Sequence, residues 1–233
     1  MSFQPTNPGR VLITGGASGL GAAVVEAVRD SGGSPIVLDR DISTLTGVTA
    51  YEVDVADTAA VTGTVRRAVE AAGGLDAVVT AAGIDRCGRL EDVASAEWEK
   101  VVQVNLFGTV STVRAALPAL RESRGRVVTV ASTLALKGVS DATAYCASKF
   151  GVLGFSQALA AELKGEVGVT QLIPGGMKTR FFDDRDEQYK PQDDSQLNDP
   201  ENVANAVLFA LGQPPGCEIR ELFVAHAEEG SWP

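Results

Sequence analysis

A single histidine, His226, serves the whole chain of 233 residues, and that scarcity leaves almost nothing for a histidine triad or a histidine-rich metal site. Cysteine is nearly as sparse. Cys87, Cys146 and Cys217 lie far apart with no Cys-x-x-Cys spacing, which argues against a disulfide framework and against structural zinc. No metal is expected. Positive charge is also short: 20 Lys and Arg face 30 Asp and Glu, and a formal net charge of −10 disfavours phosphate-backbone binding. No nucleic-acid partner is expected. No stretch offers about 18 uninterrupted apolar residues, so no membrane span is expected. The opening MSFQPTNPGR lacks the basic start and apolar centre of a secretory signal, and the expected location is the cytoplasm.

What the chain does have is the composition of a well-buried protein, 45% hydrophobic and 21% charged, at a length that suits one large α/β domain over residues 1–233. Short β-branched runs alternate with longer helical patterns. Strands are expected at Arg10–Thr14, Pro35–Asp39, Ala50–Asp54, Leu75–Thr80, Arg126–Ser132, Val167–Ile173 and Ile219–Val224. Helices are expected near Leu20–Asp30, Thr58–Ala72, Ala96–Leu120, Ala144–Leu163 and Glu201–Leu211. Several strands are apolar on both faces, as a sheet covered on each side requires. The fold class is therefore a Rossmann-type, doubly wound parallel sheet of about seven strands with helices on both faces. One stretch stands out: FFDDRDEQYKPQDDSQLNDP, residues 181 to 200, holds seven acids against two basic residues and reads as a mobile loop.

The glycines of LITGGASGLG sit where the first strand hands over to a helix. A helix N-terminus presents unpaired N–H groups and the positive end of its dipole, and glycines there let a pyrophosphate approach the main chain. Gly15 makes the tight turn, Gly19 allows close approach and Gly21 lets the helix pack on the strand; Ser18 and Leu20 complete the turn. Asp39 closes the second strand 18 residues after Gly21, where an acid accepts hydrogen bonds from the ribose hydroxyls and repels a 2′-phosphate. Arg40 is the opposing signal, a cation that could pair with such a phosphate. With Asp39 in the way and no second positive charge at Ser18, the cofactor expected is NAD rather than NADP.

Tyr145 and Lys149 stand four residues apart on a predicted helix and project from one face. A phenol with an ordinary pKa of about 10 is on the order of 0.1% ionised at neutral pH, so a tyrosine base needs its phenolate stabilised, and a nearby ammonium does this. Spacing alone also suits an unremarkable surface pair.

Taken with TGGASGLG, whose glycines follow TGxxxGxG, these residues make the chain resemble the short-chain dehydrogenases/reductases over nearly its whole length. The resemblance implies that Tyr145 is the general acid/base, that Ser132, thirteen residues earlier, holds and polarises the substrate oxygen, and that Lys149 lowers the tyrosine pKa and binds the nicotinamide ribose. Asn105, in VNLFG, matches the family's helix asparagine, whose main-chain carbonyl completes a proton relay. Asp54 and Val55 match the position beside the adenine ring. Thr80-Ala81-Ala82-Gly83 stands where the family usually has Asn-Asn-Ala-Gly, so Ala82 and Gly83 keep the cofactor-side wall while the missing asparagines alter local hydrogen bonding. Pro174-Gly175-Gly176-Met177-Lys178-Thr179 resembles the PGxxxT segment that contacts the carboxamide, with Pro174, Gly175, Met177 and Thr179 as cofactor contacts. The segment near 177–200 is then a substrate lid.

The expected activity is transfer of a hydride between the nicotinamide and a secondary alcohol or ketone. Two alternatives stay open: a 3-oxoacyl-(acyl carrier protein) reductase, which an acidic surface disfavours, and a dinucleotide-binding regulator without turnover, which the intact Ser132, Tyr145 and Lys149 set disfavours. Cys146 reads as core and His226 as surface. Phe150, Val152, Leu153, Phe155 and Leu159 give the helix after Tyr145 more apolar surface than one sheet contact needs, and the family pairs this helix across a dyad, so a homodimer or homotetramer is expected. The tail AHAEEGSWP departs from the family's glycine-ended finish; Trp232 either docks on a neighbouring subunit or frays.

Overall fold

The structure is a computed structural model that describes residues 7–191 and 193–229; Trp232, expected to dock or fray, and the first six residues lie outside them. Seven parallel strands form one sheet in the order β3-β2-β1-β4-β5-β6-β7. They are β1 Arg10–Thr14, β2 Ser34–Asp39, β3 Thr49–Glu52, β4 Ala77–Thr80, β5 Arg126–Val130, β6 Gly168–Pro174 and β7 Glu221–Val224. The helices are α1 Gly19–Asp30, α2 Thr58–Ala72, α3 Ser95–Val102, α4 Thr109–Ser123, α5 Thr143–Glu162 and α6 Pro200–Leu211.

The two-residue period of the strands sorts the core. Leu12, Leu38, Val78 and Val127 bury themselves with α2 and α4 residues on one face, while Val11, Ile13, Val37 and Val79 pack with α1 and α6 on the other. Both faces are covered, which accounts for strands without polar alternation. Leu12 pairs with Ile36 on one side and Val78 on the other, so β1 is central and the order of the chain reverses beside it. The loops after β1 and β4 leave that switch point at the carboxyl ends of the strands, where a crevice for a ligand is a consequence of topology.

The expected helix over Ala96–Leu120 is interrupted. Between α3 and α4 the chain forms a π-helical turn, Gln103–Gly108, which widens the hydrogen-bonded ladder around Asn105. The expected loop over 181–200 holds three short 3₁₀ turns, Arg180–Phe182, Glu187–Tyr189 and Asp194–Gln196. Its ends are tied together, since Asn198 N donates to Gly176 O and Lys178 N to Asn198 O, both at 2.9 Å. No helix among the described residues is long and apolar enough to cross a membrane.

Candidate active site

Backbone geometry builds one half of the site. Gly15 has φ +72°, and a Cβ there would stand 2.8 Å from the main chain of Ala82, so only glycine lets the β1 and β4 loops approach this closely. A side chain at Gly21 would run into the carbonyl of Gly15, and Gly19, at φ +52°, lies against Thr179 of the turn after β6. Ser18 is the extended N-cap of α1 and makes no side-chain cap, and the first turn carries no acid. Leu20 instead turns into the core with α6. Asp39 Oδ2 accepts the Ala17 N–H at 2.9 Å and its Oδ1 accepts that of Asp41. That fixes a carboxylate at the rim of the turn. Arg40 is exposed beside it.

The remaining wall residues fall on the same edge. Ala82 N donates to Thr14 Oγ1 at 3.2 Å, and Val55 is buried against Gly108 of the π turn. Asp54 is exposed and closes its own turn onto Ala56 N. The altered β4 motif has a visible cost: Thr80 Oγ1 is buried with no hydrogen-bond partner among the described residues. Pro174 ends β6, Gly175 N donates to Val224 O, and Met177 bridges to Asn198. Gly176 N donates to Glu229 Oε2 at 2.8 Å, a contact from the C-terminal segment that no motif announces. These residues fit an extended dinucleotide: a glycine cradle that a Cβ would fill, a helix N-terminus free of acid, and a carboxylate acceptor fixed at the rim of the turn.

Side chains build the other half. Tyr145, Lys149, Ser132 and Asn105 are all buried. The Ser132 hydroxyl lies near enough to the Tyr145 phenol to pull its pKa down, and its Oγ accepts Leu134 N–H in the following turn. Lys149 Nζ lies 5.6 Å from the Tyr145 ring centre and donates to Val130 O at 2.9 Å. Asn105 braces the floor: its Nδ2 donates to Ile84 O and Ser148 Oγ, its Oδ1 accepts Ile84 N, and its main-chain oxygen accepts the Thr109 hydroxyl. Gly83 sits between them, for a Cβ there would stand 3.4 Å from Asn105 Oδ1 and 3.7 Å from Lys149 Nζ.

Here burial dominates the electrostatics. Burial pushes the Tyr145 phenol up to about 12; Ser132 and Arg185 pull it down, while Asp85 and Cys146 push it further up. Burial also pushes Lys149 down to about 8, against the pull of Asp85. The protein's own groups therefore favour a neutral phenol; the lowering was expected of Lys149 together with the positive ring of an oxidised nicotinamide. Loss of water around the phenolate outweighs an ammonium whose proton is already aimed at Val130.

The acidic segment covers this group. The Phe181 ring meets the Tyr145 ring at 5.6 Å and the Phe182 ring at 5.5 Å. Cys146 belongs to the same buried cluster, and His226 Nδ1 accepts a local N–H from Glu228. No group of His, Cys, Asp or Glu among the described residues is arranged to hold a metal.

With the glycine turn, the strand-end acid and the four buried polar side chains gathered along one sheet edge, comparison with known proteins becomes specific. Residues 9–190 match the family described as short chain dehydrogenase. An uncharacterized oxidoreductase of Staphylococcus aureus is 32% identical over 224 residues, covering 91% of this chain and 95% of that protein. The (2S)-[(R)-hydroxy(phenyl)methyl]succinyl-CoA dehydrogenase subunit BbsD of Thauera aromatica is also 32% identical, over 88% of this chain and 90% of its own. Among solved structures, a short chain dehydrogenase from Burkholderia cenocepacia in complex with NADP superposes with a TM-score of 0.85 at 27% identity, covering 96% of this chain and 98% of that one. The chain belongs to the short-chain dehydrogenase family and is an oxidoreductase acting on CH–OH groups with a nicotinamide dinucleotide.

Proposed function

We propose that this chain, acting as one domain over residues 1–233, moves a hydride between NAD and a secondary alcohol or its ketone, with Tyr145 Oη carrying the hydroxyl proton. The observation that carries the reading is the convergence of Ser132, Tyr145, Lys149 and Asn105 beside a glycine turn at the switch point. When bound, the dinucleotide supplies the carbon that gives or takes hydride and, oxidised, a positive ring. Ser132 orients the substrate oxygen. Tyr145 donates its proton to that oxygen in ketone reduction and must first lose it for alcohol oxidation. A phenol held neutral is thus ready for reduction, and oxidation needs added positive charge nearby. Lys149 and Asn105 supply the path by which the proton is replaced, and Gly15, Ser18, Gly19, Gly21, Asp54, Val55, Ala82, Gly83, Pro174, Gly175, Met177 and Thr179 line the dinucleotide.

The preference for NAD rests on Asp39, whose carboxylate is held at the turn by Ala17 N–H and would oppose a 2′-phosphate. Residues 177–200 act as the lid; Gln192 lies outside the described residues. The exposed Phe107 and Phe150, on the π turn and on α5, fit a homodimer or homotetramer, which sedimentation would read. The activity is tested by supplying NAD⁺ or NADP⁺ with a panel of secondary alcohols and following reduced cofactor. Turnover with NAD⁺ exceeding that with NADP⁺ is the expected result; binding of either without turnover on any alcohol or ketone would refute it.

A further inference from the structure

Asp85 and Arg185 are 100 residues apart and belong to no motif, yet Arg185 Nη2 donates to Asp85 Oδ2 at 2.6 Å. Their side chains are 3% and 17% exposed. A carboxylate that deep needs a partner, because breaking a buried pair strands a charge. Asp85 is also held on its own loop, its Oδ1 accepting Arg86 N and its Oδ2 the Cys87 thiol. On the other side the guanidinium lies 4.6 Å from the Phe182 ring centre and 5.3 Å from that of Phe181, whose ring in turn meets Tyr145. Arg185 Nη1 donates to Tyr189 O, and Tyr189 lies near Asp141 in the loop after β5. One aromatic side chain therefore separates a buried ion pair from the phenol.

We propose that Asp85 and Arg185 form a latch that holds residues 180–190 closed over Tyr145 and, in closing, brings the positive charge that offsets Asp85 at the phenol. The proposal rests on the reading of Tyr145 as proton carrier. An unpaired Asp85 repels a phenolate; Arg185, arriving with the segment, removes that repulsion and adds attraction. Closure thus excludes water and readies the proton acceptor in one movement. The groups facing Tyr145 are the Ser132 hydroxyl, Lys149 and Cys146 on its own helix, Asp85 from the β4 loop and Arg185 from the segment. Those facing the pair are Cys87, pushed up to about 12 and so neutral, with Asp141 and Tyr189; Arg86, Arg89, Glu97, Asp184 and Asp186 line, together with the pair itself, a cleft of about 280 Å³. Both partners act through Tyr145 and are positioning residues.

Two readouts test this without a known substrate. Amide hydrogen exchange over residues 180–190 should quicken about tenfold in Asp85→Asn and in Arg185→Gln and recover in the swap Asp85→Arg/Arg185→Asp, while β1 and β4 stay protected and report an intact fold. Phenolate absorbance at alkaline pH, taken as the difference from the matching Tyr145→Phe variant, should then move in opposite directions: titration later in Arg185→Gln and earlier in Asp85→Asn. A merely structural pair would move both titrations the same way. Unchanged exchange in both single variants, or titrations of like sign, would overturn the latch. If β1 and β4 lose protection in a single variant, Arg185→Lys, which keeps the charge, decides by the same two readouts. Turnover surviving in Tyr145→Phe would instead refute the acid–base reading, so the two failures are distinguishable.

Discussion

The two ends of the sheet treat their ionisable groups in opposite ways. At the amino end, Arg10 grips Asp76 with Nε to Oδ2 at 2.8 Å and Nη2 to Oδ1 at 3.0 Å, a forked pair linking β1 to the chain entering β4. Each partner drives the other toward its charged form, Asp76 below the usual carboxylate range and Arg10 above its own. At the carboxyl end, burial drives Tyr145 and Lys149 toward their neutral forms. One end spends its charges on holding strands together. The other holds Tyr145 and Lys149 where burial works against the charged form of each, at a cost in stability.

The sharpest way to break the contrast is Lys149→Met. Lys149 is lowered from 10.5 to about 8, so below pH 8 the folded chain carries a buried ammonium that the unfolded chain does not have to bury. Between pH 8 and 10.5 the unfolded state binds more protons, and wild-type stability should rise with pH across that window. Tyr145 runs the other way: raised from 10.0 to about 12, it keeps its proton in the fold while the unfolded chain loses it, so stability should fall from pH 10 to 12. Urea midpoints should show Lys149→Met more stable at neutral pH by about 2 kcal/mol, with the rise above pH 8 abolished. A less stable variant with the rise intact would contradict this.

Gly15→Ala tests the backbone-built half. At φ +72° and 2.8 Å from Ala82, an added methyl should cost about 1–3 kcal/mol of stability and weaken dinucleotide binding, both measurable by denaturation and calorimetric titration. Asp39→Ala should leave the fold intact and narrow the NAD over NADP ratio about tenfold, since it removes one acceptor and one repulsive charge. The smallest effect belongs to the amino end. Asp76→Asn should cost about 1 kcal/mol above pH 4, given side chains one-third exposed and screened by water, with no change in binding. Because Asp76 is lowered by Arg10, that difference should vanish as the pH falls through its folded pKa.

Local pattern carried the reading where structure is local. The strand at Arg10–Thr14 and the helix at Thr58–Ala72 match the pattern residue for residue, because period two and period 3.6 are imposed by burial on a few neighbours. The π turn at Gln103–Gly108 escaped notice since one extra residue per turn hardly disturbs an apolar stripe. The sheet order was not legible, being fixed by which strands meet rather than by any strand's own residues. In the site, spacing brought Tyr145 and Lys149 onto one helix face but said nothing of the phenol's burial under Phe181, which is a tertiary fact. Asp85, Arg185 and Glu229 left no signal at all. Their partners lie 100, 100 and 53 residues away, in loops without periodicity.

The most direct test of the account joins binding and chemistry in one sample: titrate Tyr145→Phe with NAD⁺, then supply an alcohol that the wild-type chain oxidises. Binding within about twofold of wild type together with a loss of turnover of about 10²–10⁴-fold is the predicted result. Turnover within a few-fold of wild type would contradict it, since the proton would then leave the substrate by another route.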